Sequence, residues 1–150
     1  MELIPQDDVE KVIARALDAF AAGEIQSALA QLERAFKTAD DPLLHSYLGF
    51  CIAKERGQFR KGRDLCLASI ELEPENPVHY LNLAKVHQVA GDKAETLSAL
   101  RKGMSVGGSK EIASLLARLG NRKPSPIAFL SRDNPFNKWL GIFFGRLGLR

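Results

Sequence analysis

Three glycines, Gly23, Gly57 and Gly91, stand 34 residues apart. A fixed period of this length constrains the chain to a tandem array, in which one supersecondary unit recurs and each copy buries its apolar face against the next. Other columns keep the same step: small Ala28, Gly62 and Thr96, apolar Leu32, Cys66 and Leu100, and small Ala35, Ser69 and Gly103. On both sides of each glycine apolar residues recur at helical spacing, so the glycine turn joins two antiparallel helices. The first small column then marks where the second helix approaches the first closely, and a large side chain there would force the pair apart.

Helix starts agree with this register. Asp41-Pro42, Asn76-Pro77 and Asn134-Pro135 each put a capping side chain before a proline suited to the first helical position, and Asp92 caps after Gly91. The pattern predicts helices near 8–22, 25–37, 42–55, 60–72, 77–90 and 93–104. A seventh, 109–119, follows Gly107-Gly108 and carries Ile112, Leu115, Leu116 and Leu119 on one face. Such an extra helix covers the apolar face that a stack of repeats leaves open at its end.

These residues resemble the tetratricopeptide repeat (TPR) family over about residues 9–108. In the third unit, Pro77 through Gly103, Tyr80 fills the family's aromatic place and Leu83-Ala84 its Leu-Gly pair. The second unit has Leu48-Gly49, Gly57, Gly62, Cys66, Ser69 and a closing Pro74, with one extra residue between Gly49 and Gly57 that implies a longer first helix or a looser turn at residues 54–56. The first unit departs further, with Arg15-Ala16 at the Leu-Gly place and no closing proline at Asp40. Gly62 and Thr96 stand for the usual Ala, and Gly108 for the usual Pro.

The resemblance implies an all-α, right-handed superhelix of three helix pairs, and a non-catalytic protein-interaction module that takes a peptide or protein segment on a concave wall lined by the first helix of each unit. The expected wall positions are Ile13 and Leu17, then Leu43, Tyr47, Phe50 and Lys54, then Val78, Leu81, Asn82, Lys85 and Val89. Tyr47, Phe50, Leu81, Asn82, Lys85 and Val89 form the expected peptide-binding set. Asn82 falls where the family's peptide binders hold a backbone amide, and a carboxamide both donates and accepts. The family's carboxylate clamp needs Lys and Asn where this chain has Ile13 and Leu17, so a hydrophobic segment is the expected guest. The alternative is that the chain's own tail covers some of these positions.

Charge divides the chain. Residues 1–120 carry 15 Lys and Arg against 17 Asp and Glu, whereas residues 121–150 carry 6 against 1. The expected organisation is therefore three helix pairs and a capping helix over 1–120, then a basic, aromatic segment. After the extended Arg122-Lys123-Pro124-Ser125-Pro126, an amphipathic helix is expected behind Asn134-Pro135, with a docking face of Phe136, Trp139, Leu140, Phe143 and Phe144. So short a helix containing Gly141 and Gly145 is marginal alone in water, so it needs an acceptor. Its own array, a partner or second copy, or a lipid surface each fit. The last defines the alternative function, a peripheral membrane adaptor whose repeats recruit a protein.

The composition, 150 residues with 45% hydrophobic, 26% charged and 2 Cys, suits one soluble domain without disulfides. No run of ~18 uninterrupted apolar residues is present, and the acidic start lacks the order of a signal peptide, so a cytoplasmic location is expected. Catalytic patterns are missing: His45, His79 and His87 lack zinc spacing, Gly103 to Lys110 lacks the Gly-Lys-Ser/Thr end of a phosphate loop, and no Gly-x-Ser-x-Gly occurs. No enzyme activity, metal or cofactor is expected, and nucleic acid is not the expected partner. His87 is expected as a buried, hydrogen-bonded packing residue, and Cys51 and Cys66 as reduced core thiols.

Overall fold

The computed structural model describes residues 5–120, apart from the side chain of Gln6. Within that range the chain forms seven helices: α1 (Gln6–Ala21), α2 (Ile25–Thr38), α3 (Pro42–Arg56), α4 (Phe59–Leu72), α5 (Pro77–Val89), α6 (Lys93–Ser105) and α7 (Lys110–Gly120). α1 packs on α2, α3 on α4 and α5 on α6, while α3 also meets α2 and α5, and α4 meets α5. The 34-residue glycines have one job in common. Gly23, Gly57 and Gly91 adopt φ of 84°, 67° and 81°, the left-handed region where a Cβ is penalised.

Three helices begin as their sequences predict. The Asp41 carboxylate accepts the Leu43 N–H at 2.8 Å, the Asn76 carbonyl accepts the Val78 N–H at 3.1 Å, and Asp92 accepts the Glu95 N–H at 3.1 Å. Each such cap contributes about 1 kcal/mol by satisfying a donor with no partner in the helix. The extra residue of the second unit is absorbed by helix rather than by loop: α3 has 15 residues where α5 has 13.

The small column sits at the closest approach of α3 and α4. A Cβ added at Gly62 would run into the Gly49 carbonyl oxygen, and one added at Gly49 would meet that of Gly62. Leu32, Leu44 and Ile52 belong to one buried cluster of α1, α2 and α3, while Leu100 on α6 and Ile112 on α7 are buried further along the chain, each of the five with no more than 2% of its surface exposed. Each such side chain contributes roughly 1.5–3 kcal/mol on burial. α7 uses Ile112 and Leu115, with the Ile112 Cδ1 beside Gly103 of α6, where any side chain would displace it.

Candidate binding wall

Phe50 is the centre of a cluster drawn from three first helices. Its ring lies 5.4 Å from that of Phe20 on α1, at a tilt of 36°. The Lys54 ammonium, one turn further along α3, stands 5.9 Å from the Phe50 centroid and 5.8 Å from that of Phe20. From α5, Lys85 brings a second ammonium to 5.3 Å of Phe50 and ion-pairs with Glu111 of α7 at 2.8 Å. Cations near aromatic rings at these distances gain from the ring quadrupole. Tyr47 and Phe50, three residues apart, share one helix face. Burial, and secondarily the negative charge of Glu111, hold the Tyr47 phenol above its ordinary pKa. Lys54 is exposed, while Phe20, Tyr47, Phe50 and Lys85 are half-buried. Val89 is 40% exposed.

Three expected wall positions are not on the surface. Ile13, Leu81 and Asn82 are 5%, 7% and 1% exposed. Asn82 turns inward because a small hydrogen-bonding neighbour faces it: its amide donates to Ser46 Oγ at 3.0 Å, and Ser46 is itself fully buried. Ile13 joins the apolar core shared by α1, α2 and α3. Leu17, Leu43 and Val78 are half-buried. The face Phe136, Trp139, Leu140, Phe143 and Phe144, like the Asn134 cap, lies outside the described residues.

The buried histidine is His79 rather than His87. His79 Nδ1 lies 2.9 Å from Ser46 Oγ and its Nε2 2.9 Å from Glu73 Oε1. Because Ser46 Oγ accepts from Asn82, its own proton is free to go to Nδ1, which leaves Nε2–H to donate to the Glu73 carboxylate. Serine, imidazole and carboxylate thus follow the order of a hydrolytic triad, but with the two ring nitrogens exchanged. Ser46 and His79 are both 0% exposed, so no substrate reaches the hydroxyl in this arrangement. The polar chain fastens α3 to α5 and to the end of α4. His87 is half-buried along an outer groove of about 910 Å³ that Phe59, Arg63, Leu67, Glu95 and Lys102 also line.

The cysteines are free and buried. Burial pushes the Cys51 thiol up to about 12, against the smaller opposing pull of Lys54 and Lys85, and it also raises Cys66, whose Sγ donates to the Ser46 carbonyl at 3.6 Å. Both thiols are therefore neutral and inert in the folded chain.

Phe20 and Glu111 were not among the residues singled out from sequence. Phe20 precedes the glycine turn by three residues, as Lys54 precedes Gly57, a shared phase that places both at the same end of their helices.

No family model and no curated protein matches the chain. Solved structures do. The TPR domain of Sgt2 from Aspergillus fumigatus superposes with a TM-score of 0.63 at 20% identity, covering 88% of this chain and 92% of that one. PcrH in complex with the chaperone binding region of PopB gives 0.59 at 17%, over 80% and 98% of the two chains. The Yersinia enterocolitica type III secretion chaperone SycD, in complex with a peptide of the translocator YopD, gives 0.58 at 19%, over 77% and 89%. The chain thus has a TPR-type fold, an all-α solenoid of helix pairs, as the glycine period implies.

Proposed function

We propose that this chain is a non-catalytic protein-interaction module that takes a partner segment on the wall formed by α1, α3 and α5. The observation that carries this reading is the Phe20, Phe50, Lys54 and Lys85 cluster, which gathers large apolar and cationic groups from three separate units without burying them completely. Half-exposed aromatics of this kind are the usual anchors of a protein interface. The complexes of PcrH with a region of PopB and of SycD with a YopD peptide support it by likeness of fold. Tyr47, Phe50, Lys85 and Val89 are the proposed contact residues, joined by Phe20 and Lys54. Leu81 and Asn82, both buried, are not among them. The membrane-adaptor alternative rests on residues 135–149, outside the described residues.

The test is site-specific photo-cross-linking in cells of the source organism. A photoreactive residue in place of Val89, on the wall, is expected to yield a discrete protein adduct, and one in place of Leu72, which is 60% exposed, is not. Phe50→Ala combined with the Val89 probe is expected to abolish the adduct while leaving the circular dichroism melt within a few degrees. Adducts of equal yield from Leu72, or indifference to Phe50→Ala, would overturn the wall as the binding site.

A further inference from the structure

We infer that the wall receives an amphipathic α-helix of a partner protein, apolar on one face and acidic along its flank, rather than an extended strand. The inference rests on the proposed wall and specifies what it holds. An extended segment laid on a surface brings an unpaired N–H and C=O with almost every residue, and each one buried without a partner is costly. Walls that accept extended chains therefore present side chains able to donate and accept. Here α1 beyond Gln6 and α3 contain no Asn or Gln. The carboxamide that α5 supplies at the expected place, Asn82, is 1% exposed and already donates to Ser46. Around Phe50 the wall offers Phe20, half-buried Leu17 and Leu43, a single hydroxyl, that of half-buried Tyr47, and two ammonium groups that only donate. A helix satisfies its own backbone and needs only an apolar stripe to lay against such a surface.

The sign of the flank follows from the cations. Lys54 is exposed and has no carboxylate partner among the described residues, and its ammonium stands within 6 Å of both aromatic rings. A helix that seats a Leu or Phe on Phe50 thus brings its neighbouring flank to Lys54, where Asp or Glu completes an ion pair and Lys or Arg is repelled. Lys85, already paired with Glu111, adds no free charge but also stands over the Phe50 ring.

Three capped synthetic peptides of about 18 residues, long enough to form isolated helix in part, test this on the full chain. One carries Leu and Phe at i, i+3, i+4 and i+7 with Glu on the flanks, the second has a central proline, and the third has Lys for every Glu. Titrations followed by NMR of the aromatic and methyl groups, with circular dichroism of the peptide, are expected to show the first peptide gaining helicity as Tyr47, Phe50 and Leu43 signals move. The proline peptide is expected to bind at least about ten-fold more weakly and the Lys peptide more weakly still, and Lys54→Glu to reverse the charge preference. Equal binding of the proline peptide at the same residues would overturn the helix while leaving the wall as a binding site. No movement of the wall signals with any peptide, movement only elsewhere, or wall signals that change with the concentration of the chain alone, as when a second copy occupies it, would each overturn the inference. The Val89 cross-link separately decides whether the wall reading survives.

Discussion

The junction between the first and second units and that between the second and third are built from opposite materials. The first is apolar: Val9, Ile13, Ala16, Leu29, Leu32, Leu44, Leu48 and Ile52 form one buried cluster, and none of the buried polar residues described lies on α1 or α2. The second carries a chain of hydrogen bonds running from Asn82 through Ser46 and His79 to Glu73, with Ser46 and His79 entirely inaccessible. Apolar packing rewards any close fit, whereas a buried polar chain is favourable in one alignment only, because a shift leaves groups unpaired. The two junctions therefore divide the labour, one supplying cohesion and the other the alignment of α3 against α5 that places Phe50 beside Lys85.

The largest expected effect breaks the apolar side. Leu32→Ala removes a fully buried side chain from the first junction and is expected to cost about 2–5 kcal/mol, read as a loss of melting temperature and of denaturant midpoint. A loss under about 1 kcal/mol would mean that this junction does not carry the cohesion assigned to it.

Next comes the polar side. Asn82→Leu, close in volume, leaves the Ser46 hydroxyl without its donor and is expected to cost about 1–3 kcal/mol. The informative quantity is the coupling. Ser46→Ala and Asn82→Leu together are expected to cost less than the sum of the two alone, by at least about 0.5 kcal/mol. Additive losses would show that the two residues act independently and that no aligned polar chain exists.

The smallest effect sharpens the comparison, because one thiol sits in each region. Cys51 belongs to the apolar cluster and Cys66 donates to the Ser46 carbonyl under the polar chain. With Cys51 held up to about 12 from its ordinary 9.0, both thiols are expected to resist alkylation at pH 8 in the native chain and to react fully in denaturant. At intermediate denaturant Cys66 is expected to label first, since Cys51 sits in the apolar cluster that supplies the cohesion. Earlier labelling of Cys51 would reverse the assignment of cohesion and alignment. The same thiol fixes an alkaline limit. The stability that its burial contributes is intact below about 9, where the unfolded thiol is also neutral, and is lost as pH rises toward 12.

The order and ends of the helices were readable from the sequence because they depend on local chemistry. A glycine at φ near +80°, an Asp or Asn before a proline and a 3.6-residue apolar period each act within a few residues. The wall was read less completely because exposure depends on what the neighbouring helix brings. Asn82 shares its helical phase with Lys85 and Val89, which reach the surface, whereas its hydrogen bond to the small Ser46 across the junction holds it inward. His79 and His87 are eight residues apart on α5, and periodicity alone does not say which meets Glu73. Nothing in the local pattern around Phe20 marks it, and it takes the packing of α1 beside α3 to set it against Phe50.

The additional residue of α3 acts as a change of phase. Each residue turns a helix by about 100°, so one inserted between Gly49 and Gly57 rotates the last turn of α3 by that angle relative to a unit of standard length, while the left-handed glycine restarts the register for α4. Lys54 occupies the last turns of α3, from which its ammonium stands near both Phe20 and Phe50. The array thus carries an offset in its own periodicity, one that a comparison of residue types column by column passes over, since it resides in the count of residues rather than in any one of them.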